Sequence, residues 1–203
     1  MKPCAIVGAG DFYPERFKRE EYGLIIAADG GYDALMKVGL TPDLLIGDLD
    51  SISGVADGID ILRFKVEKDE TDMHLAYLEG VRRGYTEFHL FGGVGGRQDH
   101  TFANYSLLLY AKLDGNSMIL HGDDYYSLVI KDEAINLLGR EGGGVSVFAF
   151  GGASHGVTLR GFKYECENIT LTPSFPLGVS NSFLSHSAYL EVKDGALLVM
   201  AEY

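Results

Sequence analysis

The chain reads as an α/β protein: an N-terminal, mostly parallel, Rossmann-like α/β sandwich followed by a small antiparallel β-sandwich. Three observations predict this. Up to residue 124, apolar runs alternate with helical patterns, the signature of a parallel sheet with helices on both faces. From Tyr125 the helical period fades into short β-rich runs parted by Gly, Pro, Asn and Ser. The early apolar runs also end in glycine or aspartate, the residues of strand-to-helix turns. We therefore expect domains at 1–124 and 125–203.

Each element has its own signal. CAIVGAG is a buried strand ending in glycines, and LIIAADGG repeats the pattern. Residues 32–38, YDALMKV, form a short helix closed by Gly39, with Pro42 just beyond. DLLIGDLDS is a third strand and turn. TDMHLAYLEGVRRG carries Met73, Leu75, Ala76, Leu78 and Val81 at helical spacing and stops at Gly84. FHLFGGVGG is a strand running into glycines, TFANYSLLLYAK a helix, and SMILHG one more strand. In the second part VSVFAF, NITLTP, AYLEVK and ALLVMAEY are strands, and AYLEVK-DG-ALLVM reads as a hairpin turning at Asp194-Gly195. There is no internal repeat.

A net charge of −12 argues against nucleic acid as a partner, because phosphate backbones recruit Lys and Arg. No apolar run approaches membrane-spanning length. Cys4 and Cys166 are the only cysteines, too few for a disulfide framework, which suits a reducing compartment and a cytoplasmic protein.

Six aspartates, Asp29, Asp48, Asp50, Asp69, Asp72 and Asp99, each stand where a strand or loop runs into a helix. In an open α/β sheet the strand carboxyl ends form the ligand crevice. Like charges gathered there need a cation, and Mg²⁺ takes hard oxygen ligands together with substrate phosphates. In IGDLDS, Asp48 and Asp50 are two apart on an extended segment, so both can aim at one ion. In KDETD, Asp69 or Thr71 can cap the next helix and Asp72 suits its positive end; a shared metal and phosphate site also accounts for Lys68.

GGVGGRQDH follows a strand with glycines that let backbone N–H groups approach phosphate, and Arg97 can clamp phosphate oxygens with two bonds. Asp99 can cap the following helix, contact the nucleotide, or do both. The segment lacks the lysine of a P-loop, and GAGDFY has Tyr13 where a dinucleotide fingerprint needs a third glycine. GVSNSF offers polar groups for a heterocycle, or simply a turn.

Read in order, ADGG, TPDLLIGDLDS, KDETD, GGRQDH, GFKYECENITL, SNSF and KDGALLV resemble thiamine pyrophosphokinase of the bacterial type over nearly the whole chain. The resemblance implies transfer of the pyrophosphoryl group of ATP to the thiamine hydroxyl, releasing AMP and thiamine diphosphate. It implies a homodimer with active sites at the subunit interface. Asp48, Asp50, Asp69 and Asp72 would hold Mg²⁺. Asp29, Gly30 and Gly31 would line the nucleotide cleft, and Arg97, Asp99 and His100 would contact ATP. Ser180 and Asn181 would meet the thiamine pyrimidine, in the partner subunit's site. Arg97 would stabilise the transition state, and Asp72 or Asp99 would accept the hydroxyl proton. Glu165 and Cys166 depart from the family, where Pro and an apolar residue are common. Two other readings share the pattern: a pyrophosphokinase for a pterin alcohol, and a non-catalytic thiamine or nucleotide sensor.

Overall fold

The computed structural model describes residues 1–48, 58–64 and 69–203. Contacts divide the chain into two compact units, one of Met1–Leu107 with Asp114–Gly122, the other of Leu108–Leu113 with Asp123–Tyr203.

The first unit contains six parallel strands: β1 (Cys4–Val7), β2 (Leu24–Ala28), β3 (Leu44–Gly47), β4 (Asp60–Arg63), β5 (Glu87–Phe91) and β6 (Ser117–His121). Their spatial order is β6-β5-β1-β2-β3-β4. In β1, β2 and β3 every residue is buried, because helices cover both faces and no position faces water. α1 (Gly31–Lys37) packs Tyr32 and Leu35 with Ala5, Val7, Ile25, Ala27 and Phe91 on one face. α2 (Asp72–Arg82) covers the other, where Tyr77 meets Phe88 edge-on at 4.9 Å and Gly80 lies against Phe88 and Cys4.

Three local readings are refined. The cap of α2 is Thr71, whose Oγ1 accepts from His74 N at 3.2 Å, rather than Asp69. α3 spans Gln98–Leu113, so it begins three residues before the first residue of TFANYS. Asp99 is thus inside its first turn instead of being its cap. β4 escaped notice because its residues are mostly exposed and carry no apolar run.

A histidine pair lies on the α1 face. His121 Nε2 is 3.0 Å from His89 Nδ1, Tyr22 Oη is 3.2 Å from the same atom, and His121 stacks on Phe91 at 4.4 Å. Burial drives both imidazoles toward the neutral form, His121 down to about 3, with His89 and Arg16 adding repulsion. Glu87 and Glu21 act the other way on His89. An unfolded chain takes up these protons below its ordinary value near 6.5, and the fold refuses them. Stability should therefore fall as pH drops from 6.5 toward 3, by up to about 1.4 kcal/mol per pH unit for each proton withheld. His121→Phe keeps the stack and removes one proton site, so its urea midpoint should change less between pH 7.5 and pH 5 than the parent's. Equal changes would mean that the pair does not govern acid lability.

The second unit is a two-sheet sandwich. One sheet holds β7 (Tyr125–Lys131), β9 (Gly144–Ala149), β12 (Asn181–Ser182) and β14 (Ala196–Glu202), in the order β12-β9-β14-β7. The other holds β8 (Ala134–Leu138), β10 (Ser154–Arg160), β11 (Cys166–Leu171) and β13 (Ser187–Glu191), in the order β11-β10-β13-β8. All pairings within these two sets are antiparallel. Ile130, Val145, Val147 and Val199 from one sheet pack with Val157, Leu159 and Leu190 from the other, joined by Phe162 and Phe183.

The expected hairpin is not formed. β13 pairs with β8 and β10, whereas β14 pairs with β7 and β9, so Asp194-Gly195 is a corner between sheets. His155 N donates to Asp194 O at 2.7 Å and Gly195 N to Asp132 Oδ1 at 2.8 Å, bonds that fix the corner to other segments. Gly195 takes a φ of 110°, which a side chain would resist. The Asp-Gly pair marks a turn between two strands. It holds no information on which sheet a strand joins.

Candidate active site

The parallel register brings the carboxyl ends of the first unit's strands to one edge. Val7 is level with Ala27 and Phe91, Ala28 with Ile46, and Gly47 with Arg63. The residues that follow, Gly8, Asp29, Asp48 and Gly92, therefore share that edge. Asp29 has a left-handed φ of 46°, a conformation that aspartate tolerates better than most side chains. It is held there because its N donates to Ile46 O at 2.7 Å and its O accepts from Tyr32 N at 3.0 Å. Gly47 backs onto it so closely that a Cβ would lie 3.3 Å from Asp29 Cα. Gly31 opens α1 against β1, where a Cβ would fall 1.8 Å from Val7 O.

The loop after β5 is pinned to the loop after β1. Gly8 N donates to Phe91 O, Gly10 N to Gly92 O and Asp11 N to Val94 O, each at 2.8 Å. Gly95 and Gly96 then take φ values of 80° and 60°, consecutive left-handed residues that bend the chain into α3. Arg97 grips Asp99 with two bonds, Nε to Oδ1 at 3.2 Å and Nη2 to Oδ2 at 2.6 Å. This fork holds the Asp99 carboxyl down at about 2, with the His100 N–H helping. Arg97, Asp99 and His100 are all exposed at the start of α3.

Asp72 is half-buried in the first turn of α2, and Asp69 is exposed two residues before Thr71. Asp50 and Lys68 lie outside the described residues. Among the described residues no three His, Cys, Asp or Glu side chains converge into a metal-holding group. The donor set at the edge is nevertheless of the right chemistry for Mg²⁺, which needs only one or two carboxylates when substrate phosphates and water complete its shell. Asp48, the residue after β3, is placed to offer a hard oxygen there.

In the second unit, Ser180 is exposed with a left-handed φ of 62°, and its N donates to Ser146 Oγ at 3.1 Å. Asn181 is buried and engaged by its own chain. Its Oδ1 accepts from Tyr164 N and Ser182 N, both at 2.9 Å, and its Nδ2 donates to Tyr164 O at 2.7 Å. Both lone pairs of Oδ1 are thus used, and one amide hydrogen is left over. Asn181 acts as a clamp on Tyr164, a residue 60% exposed. Glu165, one of the departures from the family pattern, accepts from Gly161 N at 2.7 Å.

Sequence reasoning passed over Asp11, Asn104 and Tyr164. Asp11 follows a strand-ending glycine, a signal that could have been read. A Cβ on Gly95 would lie 2.1 Å from its Oδ2, so the carboxylate is packed onto the loop. Asn104 is held by the backbone carbonyl of Gly93 and the backbone of Tyr164 by the side chain of Asn181, partners that no local pattern reports.

The described helices include none long and apolar enough to cross a membrane. Residues 18–120 match the family model for the thiamin pyrophosphokinase catalytic domain, and residues 129–197 match that for the thiamin pyrophosphokinase vitamin B1 binding domain. A thiamine pyrophosphokinase of Bacillus subtilis is 27% identical over 198 residues, covering 89% of this chain and 88% of the relative. The crystal structure of thiamine pyrophosphokinase from Bacillus subtilis superposes with a TM-score of 0.90 at 24% identity, covering 99% of each chain. The thiamin pyrophosphokinase of Candida albicans has a TM-score of 0.82 at 15% identity, covering 99% of this chain and 89% of its own. With the catalytic-domain model alone matched over half of its length, the chain belongs to the thiamin pyrophosphokinase family.

Proposed function

We infer that the chain is an ATP-dependent thiamine diphosphokinase, which moves the pyrophosphoryl group of ATP to the hydroxyl of thiamine and releases AMP. The observation that carries this reading is the match to both the catalytic and the vitamin B1 binding models, in that order along the chain. The second match also favours thiamine over a pterin alcohol as acceptor, and the complete set GDLDS, KDETD and GRQDH favours an enzyme over a sensor. We assign the nucleotide chemistry to residues 1–124 and the acceptor to residues 125–203.

In this proposal the acceptor oxygen attacks the β-phosphorus of ATP, and the bond from that phosphorus to the oxygen bridging it to the α-phosphorus breaks, with AMP leaving. The protein chiefly positions reactants and balances charge. Asp29, Gly30 and Gly31 line the nucleotide, supported by the close packing of α1 on β1. Asp48, Asp50, Asp69 and Asp72 would hold Mg²⁺, which when bound would supply charge neutralisation at phosphate oxygens. Arg97 presents its planar fork to the charge that develops in the transition state, oriented by Asp99, with His100 beside them. Asp72 or Asp99 accepts the hydroxyl proton.

Ser180 offers its hydroxyl and Asn181 its remaining amide hydrogen to the pyrimidine ring, while the other polar atoms of Asn181 hold Tyr164. We propose a homodimer in which Ser180 of one copy serves the nucleotide edge of the other. The exposed apolar side chains Phe175, Leu177, Val179 and Leu184, flanking Ser180, support such a contact. We propose a cytoplasmic location without nucleic-acid partners, a reading that the acidic charge and the free cysteines support.

The test is AMP and thiamine diphosphate formation by the purified protein with Mg-ATP and thiamine. Equal amounts of the two products are expected, and Arg97→Lys should lose roughly 10²-fold in kcat/KM because a point charge cannot reproduce the fork. No AMP from the parent protein would overturn the reading, and parental kinetics in the variant would make Arg97 structural.

A further inference from the structure

Asn104 lies on α3 with its side chain buried, and its Nδ2 donates to Gly93 O at 2.7 Å. Gly93 stands near the start of the loop that ends at Arg97, and α3 begins at the next residue, Gln98. One hydrogen bond therefore ties the head of the loop to the helix at its tail. The seat is close: a Cβ on Gly93 would lie 2.6 Å from Leu120 Cδ1 and 3.3 Å from Asn104 Nδ2. Gly10 N and Asp11 N hold the carbonyls on either side, those of Gly92 and Val94. Three successive carbonyl oxygens are thus each occupied by a protein donor. Two of the donors are backbone groups that any sequence supplies, and the middle one depends on a side chain.

This arrangement has an electrostatic meaning. A carbonyl oxygen turned toward a phosphate repels it, whereas one held by a buried donor is kept in a fixed direction before the ligand arrives. Beyond Val94 the loop passes through Gly95 and Gly96, which accept many backbone conformations, so the position of Arg97 depends on where the loop is anchored. We propose that Asn104 is a positioning residue for the nucleotide site, which sets the path of the glycine loop and through it the place of Arg97. This rests on the reading of the loop as the ATP-binding element.

Asn104→Asp is nearly isosteric and puts a carboxylate oxygen where the amide donates, so that attraction becomes repulsion. Its KM for Mg-ATP should rise roughly ten-fold, the scale of one lost hydrogen bond, while KM for thiamine stays at the parental value. Asn104→Ser, whose hydroxyl is too short to reach, should behave alike if the first variant fails to fold. Leu198→Ala, a core change in the second unit, controls for general destabilisation and should leave the KM for Mg-ATP unchanged. An unaltered KM for Mg-ATP in a folded variant overturns the proposal, as does an equal rise for both substrates. If the parent protein releases no AMP, the functional reading fails by itself. Calorimetric titration of Mg-ATP into the same variants then decides the positioning role, with weakened binding expected and parental binding overturning it.

Discussion

Asp48→Asn is expected to lower turnover by roughly 10³-fold, as removal of several kcal/mol of charge stabilisation would require. Asp48 is the first residue past β3, half-buried at the sheet edge that it shares with Asp29. Asparagine keeps its shape and hydrogen-bonding reach, so the fold should survive and the melting temperature should change little. What disappears is a negative charge where Mg²⁺ and phosphates are proposed to meet. Higher Mg²⁺ concentrations should therefore restore part of the activity, which they would not do for a merely misfolded enzyme. Near-normal turnover at limiting Mg²⁺ would remove Asp48 from the metal site. Asp50 belongs to the same proposal and lies outside the described residues.

Gly31→Ala should be the most damaging single methyl group in the first unit. Its Cβ would lie 1.8 Å from Val7 O and 2.5 Å from Val7 C, and these are backbone atoms of the central strand β1, not the end of a flexible side chain. Relief requires α1 to move away from the sheet and to take Asp29 and Gly30 with it. Overpacking of this kind costs about 1–3 kcal/mol and sometimes more, so thermal stability should fall clearly and Mg-ATP binding should be lost. Gly152→Ala is the comparison, since that glycine has open space around the added carbon and no left-handed φ. A Gly31→Ala protein with parental stability and parental nucleotide affinity would mean that α1 has room to shift and that the cleft does not depend on its seat.

The parts of the fold legible in the sequence were those with a local cause. CAIV, LIIAA and LLIG are apolar at every position because both sheet faces are covered, and such runs announce strands without ambiguity of face. Asp29 and Asp48 could be assigned to one edge because parallel strands put their carboxyl ends together. The parts that escaped depend on partners remote in sequence. β4 is an exposed edge strand defined by its pairing to β3. The corner at Asp194-Gly195 looks like a hairpin until the partners of β13 and β14 are known. Asn181 also has a structural duty that its sequence setting does not announce, since its Oδ1 accepts from Tyr164 N and its Nδ2 donates to Tyr164 O. Polar residues with a structural duty and polar residues with a binding duty have the same composition signal, and only their hydrogen-bond partners separate them.

The corner at Asp194-Gly195 also governs the order in which the second unit can be completed during synthesis. It delivers β14 to the middle of its sheet, between β9 and β7, both of which are made much earlier. Until residue 202 has left the ribosome, the inward side chains Val145, Val147 and Ile130 have no central strand to pack beside. Pairing so distant in sequence is slow to form, and the waiting strands present open edges to other chains in the meantime. The nascent second unit therefore keeps those edges open until its last strand arrives, whereas all six parallel strands of the first unit have been made by residue 121.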